Sequence, residues 1–189
     1  MTGVSAVLFD LDGTLVDSLP GISWAAQLAL DEVLPGSELP DLRPFVGPPI
    51  REVFRRILGE DTAGFLADLE SAFRRHYNMD GWRRSFAYAD VPVTLAALSA
   101  AGICLGVVTN KPQAPTRSIL DHLDLARFMD VVLTPDSCSP PFASKTETLA
   151  AALQARALVP ALTLFVGDSY DDASAACACG VRFAAVTRG

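Results

Sequence analysis

Five short apolar runs recur along the chain, and polar clusters follow the first four. Val4 to Phe9 stops at Asp10-Leu11-Asp12-Gly13-Thr14, and Ile103 to Val108 stops at Thr109-Asn110. Asp130 to Leu133 precedes Thr134-Pro135, Leu162 to Val166 precedes Gly167-Asp168, and Phe183 to Val186 is the last run. Runs this short, and apolar almost throughout, predict strands buried on both faces. Helical spacing lies between them. Val91, Leu95 and Leu98 mark one helix, with Pro92 near its first turn and Gly102 as its stop. Lys145 to Ala157 is a second helix, and Asp171 to Cys179, closed by Gly180, a third. Strands alternating with helices predict an α/β fold built on a doubly wound parallel sheet.

The stretch 16–85 breaks the alternation. It shows no strand pattern but three amphipathic stripes: Ile22, Ala26, Ala29, Leu30 and Val33; Ile50, Val53, Phe54, Ile57 and Leu58; Phe65, Leu69, Phe73 and Tyr77. A helical block of that length is too large for a loop. The expected organisation is an α/β unit from 1–15 and 86–189, with 16–85 inserted as an all-helical subdomain.

Composition narrows the function. The 189 residues carry a formal charge of −7, so no basic footprint for nucleic acid or an anionic membrane surface is present. The apolar runs are far below the ~20 residues of a membrane helix, and no signal-peptide pattern opens the chain. The four cysteines show no pairing pattern, and Cys177 and Cys179 point to different sides of the predicted helix. Unpaired thiols suit a reducing, cytoplasmic setting.

In an open parallel sheet, ligands bind beyond the carboxyl ends of the strands. This chain delivers Asp10 and Asp12, Thr109 and Asn110, and Asp168, Ser169, Asp171 and Asp172 to that edge, and Lys145 can reach it. Carboxylates crowded together need a counter-charge or must titrate. A hard divalent cation answers that need, and Mg²⁺ suits one or two carboxylates together with substrate oxygens. Such a set fits phosphoryl transfer, where positioning and charge neutralisation supply most of the catalysis. Of fifteen basic residues only Lys111 and Lys145 are lysines, so each surviving lysine is a candidate for a compact point charge. The strand-edge position favours a functional Lys145, whereas Lys111 is balanced between function and chance.

The four clusters together resemble the haloacid dehalogenase-like phosphohydrolases. Asp10-Leu11-Asp12-Gly13-Thr14-Leu15-Val16-Asp17-Ser18 resembles the family's first motif and Thr109-Asn110-Lys111 its second. Lys145 matches the third, and Gly167-Asp168-Ser169-Tyr170-Asp171-Asp172 the fourth. The helical insertion resembles the family's small helical cap. Gly47-Pro48-Pro49-Ile50-Arg51 and Tyr88-Ala89-Asp90-Val91-Pro92 resemble segments of the phosphoglycolate-phosphatase-like members and their 5′-nucleotidase-like relatives.

The resemblance implies a Mg²⁺-dependent phosphatase acting on a small phosphorylated metabolite through an aspartyl-phosphate. Asp10 would be the nucleophile and Asp12 the proton donor and acceptor. Gly13 would permit the turn, Thr109 and the Asn110 N–H would bind phosphoryl oxygens, and Lys145 would offset charge. Asp10, the Asp12 carbonyl and Asp168 would hold the metal, with Asp172 supporting them. Phe45, Gly47 and Pro48 are the candidate substrate-facing loop. A phosphomutase of the same superfamily is the alternative, and a receiver-like phosphoaccepting domain a remote one.

Two features depart from the family pattern. Thr146 follows Lys145 where many members have proline, and the chain stops at Gly189, just after its last strand, where members usually continue. A thinly covered sheet edge and a monomer or homodimer are therefore expected. The plain structural readings are an N-terminal helix charge for Asp171, a Glu52–Arg56 pair, packing for Trp24 and Trp82, and surface positions for His76 and His122. The remaining arginines of the insertion read as a solvated face.

Overall fold

The computed structural model describes residues 3–45, 48–59 and 64–187. Gly47 of the candidate loop and the chain's last residue, Gly189, lie outside the described residues. Strands β1 (Ala6–Phe9) and β2 (Val16–Asp17) lead into α1 (Leu19–Val33), α2 (Ile50–Leu58) and α3 (Leu66–Met79). After β3 (Phe86–Ala87) the chain alternates: α4 (Val91–Ala100), β4 (Cys104–Val108), α5 (Gln113–His122), β5 (Val131–Leu133), α6 (Lys145–Ala155), β6 (Thr163–Gly167), α7 (Tyr170–Ala178) and β7 (Arg182–Ala185). The chain divides into two units, one of Met1–Val16 with Ala87–Gly189 and one of Asp17–Phe86.

The first unit holds a five-stranded sheet in the order β5-β4-β1-β6-β7, parallel at every pairing. Phe9 stands opposite Val107 on one side and Val166 on the other, so β1, β4 and β6 end nearly level. The chain first builds outward from β1 through β4 to β5, then crosses back to place β6 on the far side of β1. That reversal puts a topological switch point at the carboxyl end of β1. Right-handed crossovers then require helices on both faces. On one face Leu8, Val108 and Phe165 pack with Leu149 and Ala152 of α6 and Ala175 of α7. Alternation turns Val7, Leu105 and Val107 to the other face, where α4 and α5 contribute Val91, Leu95, Ile119 and Leu120 to the core. The fold is thus the expected α/β doubly wound sheet.

The second unit contains the three helices in the expected order, with Ala26, Leu30, Phe54, Leu69 and Phe73 in its core. Gly21 of α1 and Gly81 approach so closely that a Cβ at Gly21 would collide with the Gly81 carbonyl. Two details differ from the sequence pattern. Val16–Asp17, inside the stretch read as strand-free, pairs with Phe86–Ala87. The two short strands mark the places where the chain leaves and re-enters the first unit, and two residues are too few for a periodicity to show. Phe65 sits just before α3 and is 43% exposed, so Leu66 rather than Phe65 opens the buried stripe.

The arginine face is solvated and neutralised locally. Glu52 takes both Arg55 and Arg56, while Glu70 takes Arg51 and Arg74. Trp24 and Trp82 pack against the helical core, with Arg84 and Arg83 stacked on them. His122 is exposed, and His76 is half-buried beside Glu32. Among the described residues no helix is long and apolar enough to cross a membrane.

Gly106 illustrates how tightly the sheet is packed. It lies in register with Leu8 and Val131, and a Cβ there would meet Val131 Cγ1 and come within 2.8 Å of Leu8 Cδ2. Gly106→Ala is expected to destabilise the protein by about 1–3 kcal/mol, because neither flanking strand can yield freely. Urea unfolding of the two proteins measures the difference; an unchanged midpoint would show the strands yielding at no cost.

Candidate active site

The turn after β1 is built around one carbonyl. Asp10 extends the ladder by donating its N–H to the Val166 carbonyl (2.9 Å). The Leu11 carbonyl then accepts from the N–H groups of Thr14, Leu15 and Val16 at 3.3, 2.9 and 3.0 Å. Gly13 closes the turn with φ of 80°, a left-handed conformation that favours glycine. Leu11 and Leu15 are buried beneath it. Asp10 and Asp12, two residues apart on this extended-to-turn segment, remain close enough for the Asp12 charge to act on Asp10.

Each of these two carboxylates is held by a lysine. Lys145 Nζ donates to Asp10 Oδ1 at 2.7 Å, and Lys111 Nζ donates to Asp12 Oδ2 at 2.8 Å. Lys145 also forms an ion pair with Asp172. The start of α6 that carries Lys145 needs no proline. Ser144 caps it by accepting the Glu147 N–H, and the Glu147 carboxylate accepts the Ala143 N–H at 2.8 Å.

Asp172 is fully buried and closes a capping box with Ser169, accepting its N–H at 3.0 Å and its O–H at 2.6 Å. Gly167 makes room for it, because a Cβ there would collide with the Asp172 carboxylate. Asp168 follows β6 directly and rests against Gly13, where an added Cβ would strike its carboxylate. The carboxylates of Asp10, Asp168 and Asp172 offer oxygens within 4.8 Å of one another.

The charge balance is uneven. Burial pushes the Asp10 carboxyl up to about 7; Lys145 pulls against it, and the charges of Asp172 and Asp12 add to the rise. Burial opposes the Lys145 charge, but Asp10 and Asp172 override it and hold the ammonium above its usual range. Partial burial and then the Asp172 charge raise Asp168. Surplus negative charge in an all-oxygen cluster fits a hard divalent cation. Among the described residues Asp10 Oδ2 and the Asp168 carboxylate have no side-chain partner, whereas both Asp172 oxygens are engaged.

Asp10, Lys145, Asp168 and Asp172 meet in one cluster. Asp172, not the Asp12 side chain, is the third carboxylate there, because Asp12 is drawn to Lys111. Thr109 is buried at the end of β4, and its hydroxyl accepts the Lys111 N–H at 3.2 Å. Asn110 Nδ2 donates to Asp171 Oδ2 at 2.8 Å, tying the β4 loop to the first turn of α7. Phe45 packs half-buried against the helical core, and Pro48 is half-buried. Lys111 is the residue whose partner the sequence left open; the scarcity of lysine was its signal.

The family model described as haloacid dehalogenase-like hydrolase matches residues 7–186. The chain belongs to the haloacid dehalogenase-like hydrolase family. A phosphoglycolate phosphatase of Cereibacter sphaeroides is 36% identical over 97% of this chain and 85% of its own length. One of Aquifex aeolicus is 31% identical over 94% of this chain and 82% of its own. A haloacid dehalogenase-like hydrolase of Streptococcus pneumoniae superposes with a TM-score of 0.88 at 29% identity, covering 99% of this chain and 86% of that one. Family and relatives together make this haloacid dehalogenase-like protein a phosphatase.

The buried surplus of charge predicts an unusual stability profile. A carboxyl whose folded-state pKa is raised favours folding below its unfolded pKa and loses that contribution as pH rises through the folded value. In metal-free protein, Asp10→Asn should therefore melt higher than wild type near pH 7, with the gap closing toward pH 4. Thermal unfolding in chelator across that range tests this; a lower-melting variant at pH 7 would mean that the Lys145 pair outweighs burial.

Proposed function

We propose that this phosphatase hydrolyses a small phosphomonoester, with 2-phosphoglycolate as the favoured substrate, through a phosphorylated Asp10. The observation that carries the reading is the Asp10–Asp12 pair, set by the Gly13 turn at the switch point of the sheet, each carboxylate held by its own lysine. The choice of substrate is supported by the phosphoglycolate phosphatases at 36% and 31% identity.

Asp10 Oδ2, with no side-chain partner among the described residues, attacks phosphorus while the ester P–O bond breaks, and Asp12 gives its proton to the leaving alkoxide. A water then attacks the aspartyl-phosphate, Asp12 takes its proton, and the Asp10–phosphorus bond breaks to release inorganic phosphate. Thr109 and the Asn110 N–H bind phosphoryl oxygens, and Lys145 balances the charge that gathers between Asp10 and the phosphoryl group. Asp172, anchored by Ser169, keeps Lys145 in place. Asp10, Asp168 and the Asp12 carbonyl would hold Mg²⁺, which when bound supplies positive charge that keeps Asp10 ionised and neutralises the phosphoryl oxygens. The three-helix insertion corresponds in chain position to the family's small helical cap, the part to which selection of the substrate is assigned.

Asp10→Asn is expected to cut phosphate release by at least about a thousandfold, the order of loss when a nucleophile is removed. Chelation should abolish wild-type release, and added magnesium should restore it. Phosphate assays on 2-phosphoglycolate, nucleoside monophosphates and sugar phosphates make the test. Near-normal turnover by Asp10→Asn would exclude the covalent route, and phosphoryl return to sugar in place of release would mark a mutase.

A further inference from the structure

Resting on the phosphatase reading above, we propose that Asp171 is a positioning residue that aims the Asn110 N–H at the phosphoryl group by holding the Asn110 side chain. The segment after β4 is pinned at both ends by β5 and the loop that follows it. The Thr109 N–H donates to the Leu133 carbonyl at 3.2 Å, and the Gln113 N–H, at the start of α5, donates to Asp136 Oδ1 at 2.8 Å. Between those points Asn110 is exposed, and among the described residues its N–H meets no protein acceptor. A backbone donor left open at the carboxyl edge of the sheet suits the oxygens of an anion. Its direction follows the Asn110 backbone, which the side chain anchors: Nδ2 donates to Asp171 Oδ2 at 2.8 Å.

A carboxylate in the first turn of a helix can be present for the helix alone. Here α7 is already capped, because Ser169 and Asp172 close its capping box, and the Asp171 carboxylate is turned to a partner on another loop. By charge alone Asp171 would oppose an incoming phosphoryl group, which is itself anionic. Its value to the site therefore lies in the hydrogen bond, and the two contributions have opposite signs. The tie also joins the loop that would bind phosphoryl oxygens to the helix that follows Asp168, so the two loops are set as one piece.

The test reads the inhibition constant of inorganic phosphate, which keeps the phosphoryl oxygens and lacks the leaving group, together with kcat/KM. Asp171→Ala should raise that constant about 5- to 30-fold, short of the roughly hundredfold loss when a donor is removed outright. For 2-phosphoglycolate and for 4-nitrophenyl phosphate kcat/KM should fall by a similar factor, because the phosphoryl group is common to both. Asp171→Asn keeps an acceptor without the charge and should bind phosphate within about twofold of wild type, or more tightly. Asn110→Ala retains the backbone N–H but loses the tie, and should weaken phosphate binding likewise. The double variant should match Asp171→Ala within about twofold, because the two side chains act as one unit. An inhibition constant unchanged or lowered in Asp171→Ala would overturn the proposal. So would Asp171→Asn binding as weakly as Asp171→Ala, or a double variant well below Asp171→Ala. Each of those outcomes leaves the phosphatase reading intact, whereas wild-type protein that releases phosphate from neither substrate would overturn that reading as well.

Discussion

The buried ion cluster of Lys145 with Asp10 and Asp172 joins three segments that are distant in sequence: the end of β1, the first residue of α6 and the first turn of α7. Taking such charges out of water is expensive, and their mutual attraction compensates only when the geometry holds. That geometry is enforced by the capped starts of α6 and α7, where Ser144 and Ser169 are the capping residues. The cluster is therefore better understood as a device for placement than as a source of stability. Its surplus of negative charge has the same origin: burial and the neighbouring carboxylates of Asp172 and Asp12 raise Asp10 against the pull of Lys145.

Close approach of backbone and carboxylates is the second constraint. Asp168 rests on Gly13 and Asp172 on Gly167, and at each place a side chain in the glycine's stead would displace the acid. The two glycines let strands β1 and β6, adjacent in the sheet, bring their loops together over a short distance. The carboxyl edge of the sheet thus gathers three acids without any residue from a long flexible loop. Asn110 adds a polar tie to Asp171, so the loop after β4 is joined to the same helix start.

Much of the fold was legible in the chain. The five apolar runs correspond to the five parallel strands, and the amphipathic stripes to α1, α2 and α3. These signals are strong because burial on both faces of a sheet, or on one face of a helix, constrains many residues at once. Where burial constrains few residues the signal fades. The two-residue strands Val16–Asp17 and Phe86–Ala87 left no pattern, and Phe65 continued a helical stripe although the helix begins one residue later. Phe45, a candidate for substrate contact, packs half-buried against the helical core, a packing that spacing alone does not reveal.

The candidate site divides in the same way. The sequence by itself determined which residues reach the carboxyl edge of the sheet, because strand ends and parallel topology follow from local apolar runs and their order. Asp10, Thr109, Lys145 and Asp168 were placed there on that ground. Only the tertiary structure decided the partners: Lys145 between Asp10 and Asp172, Lys111 on Asp12, Asp171 on Asn110. These pairs span up to 135 positions of the chain, as between Asp10 and Lys145. Which cation meets which carboxylate depends on register, crossover and side-chain reach at once, and no local pattern encodes that combination.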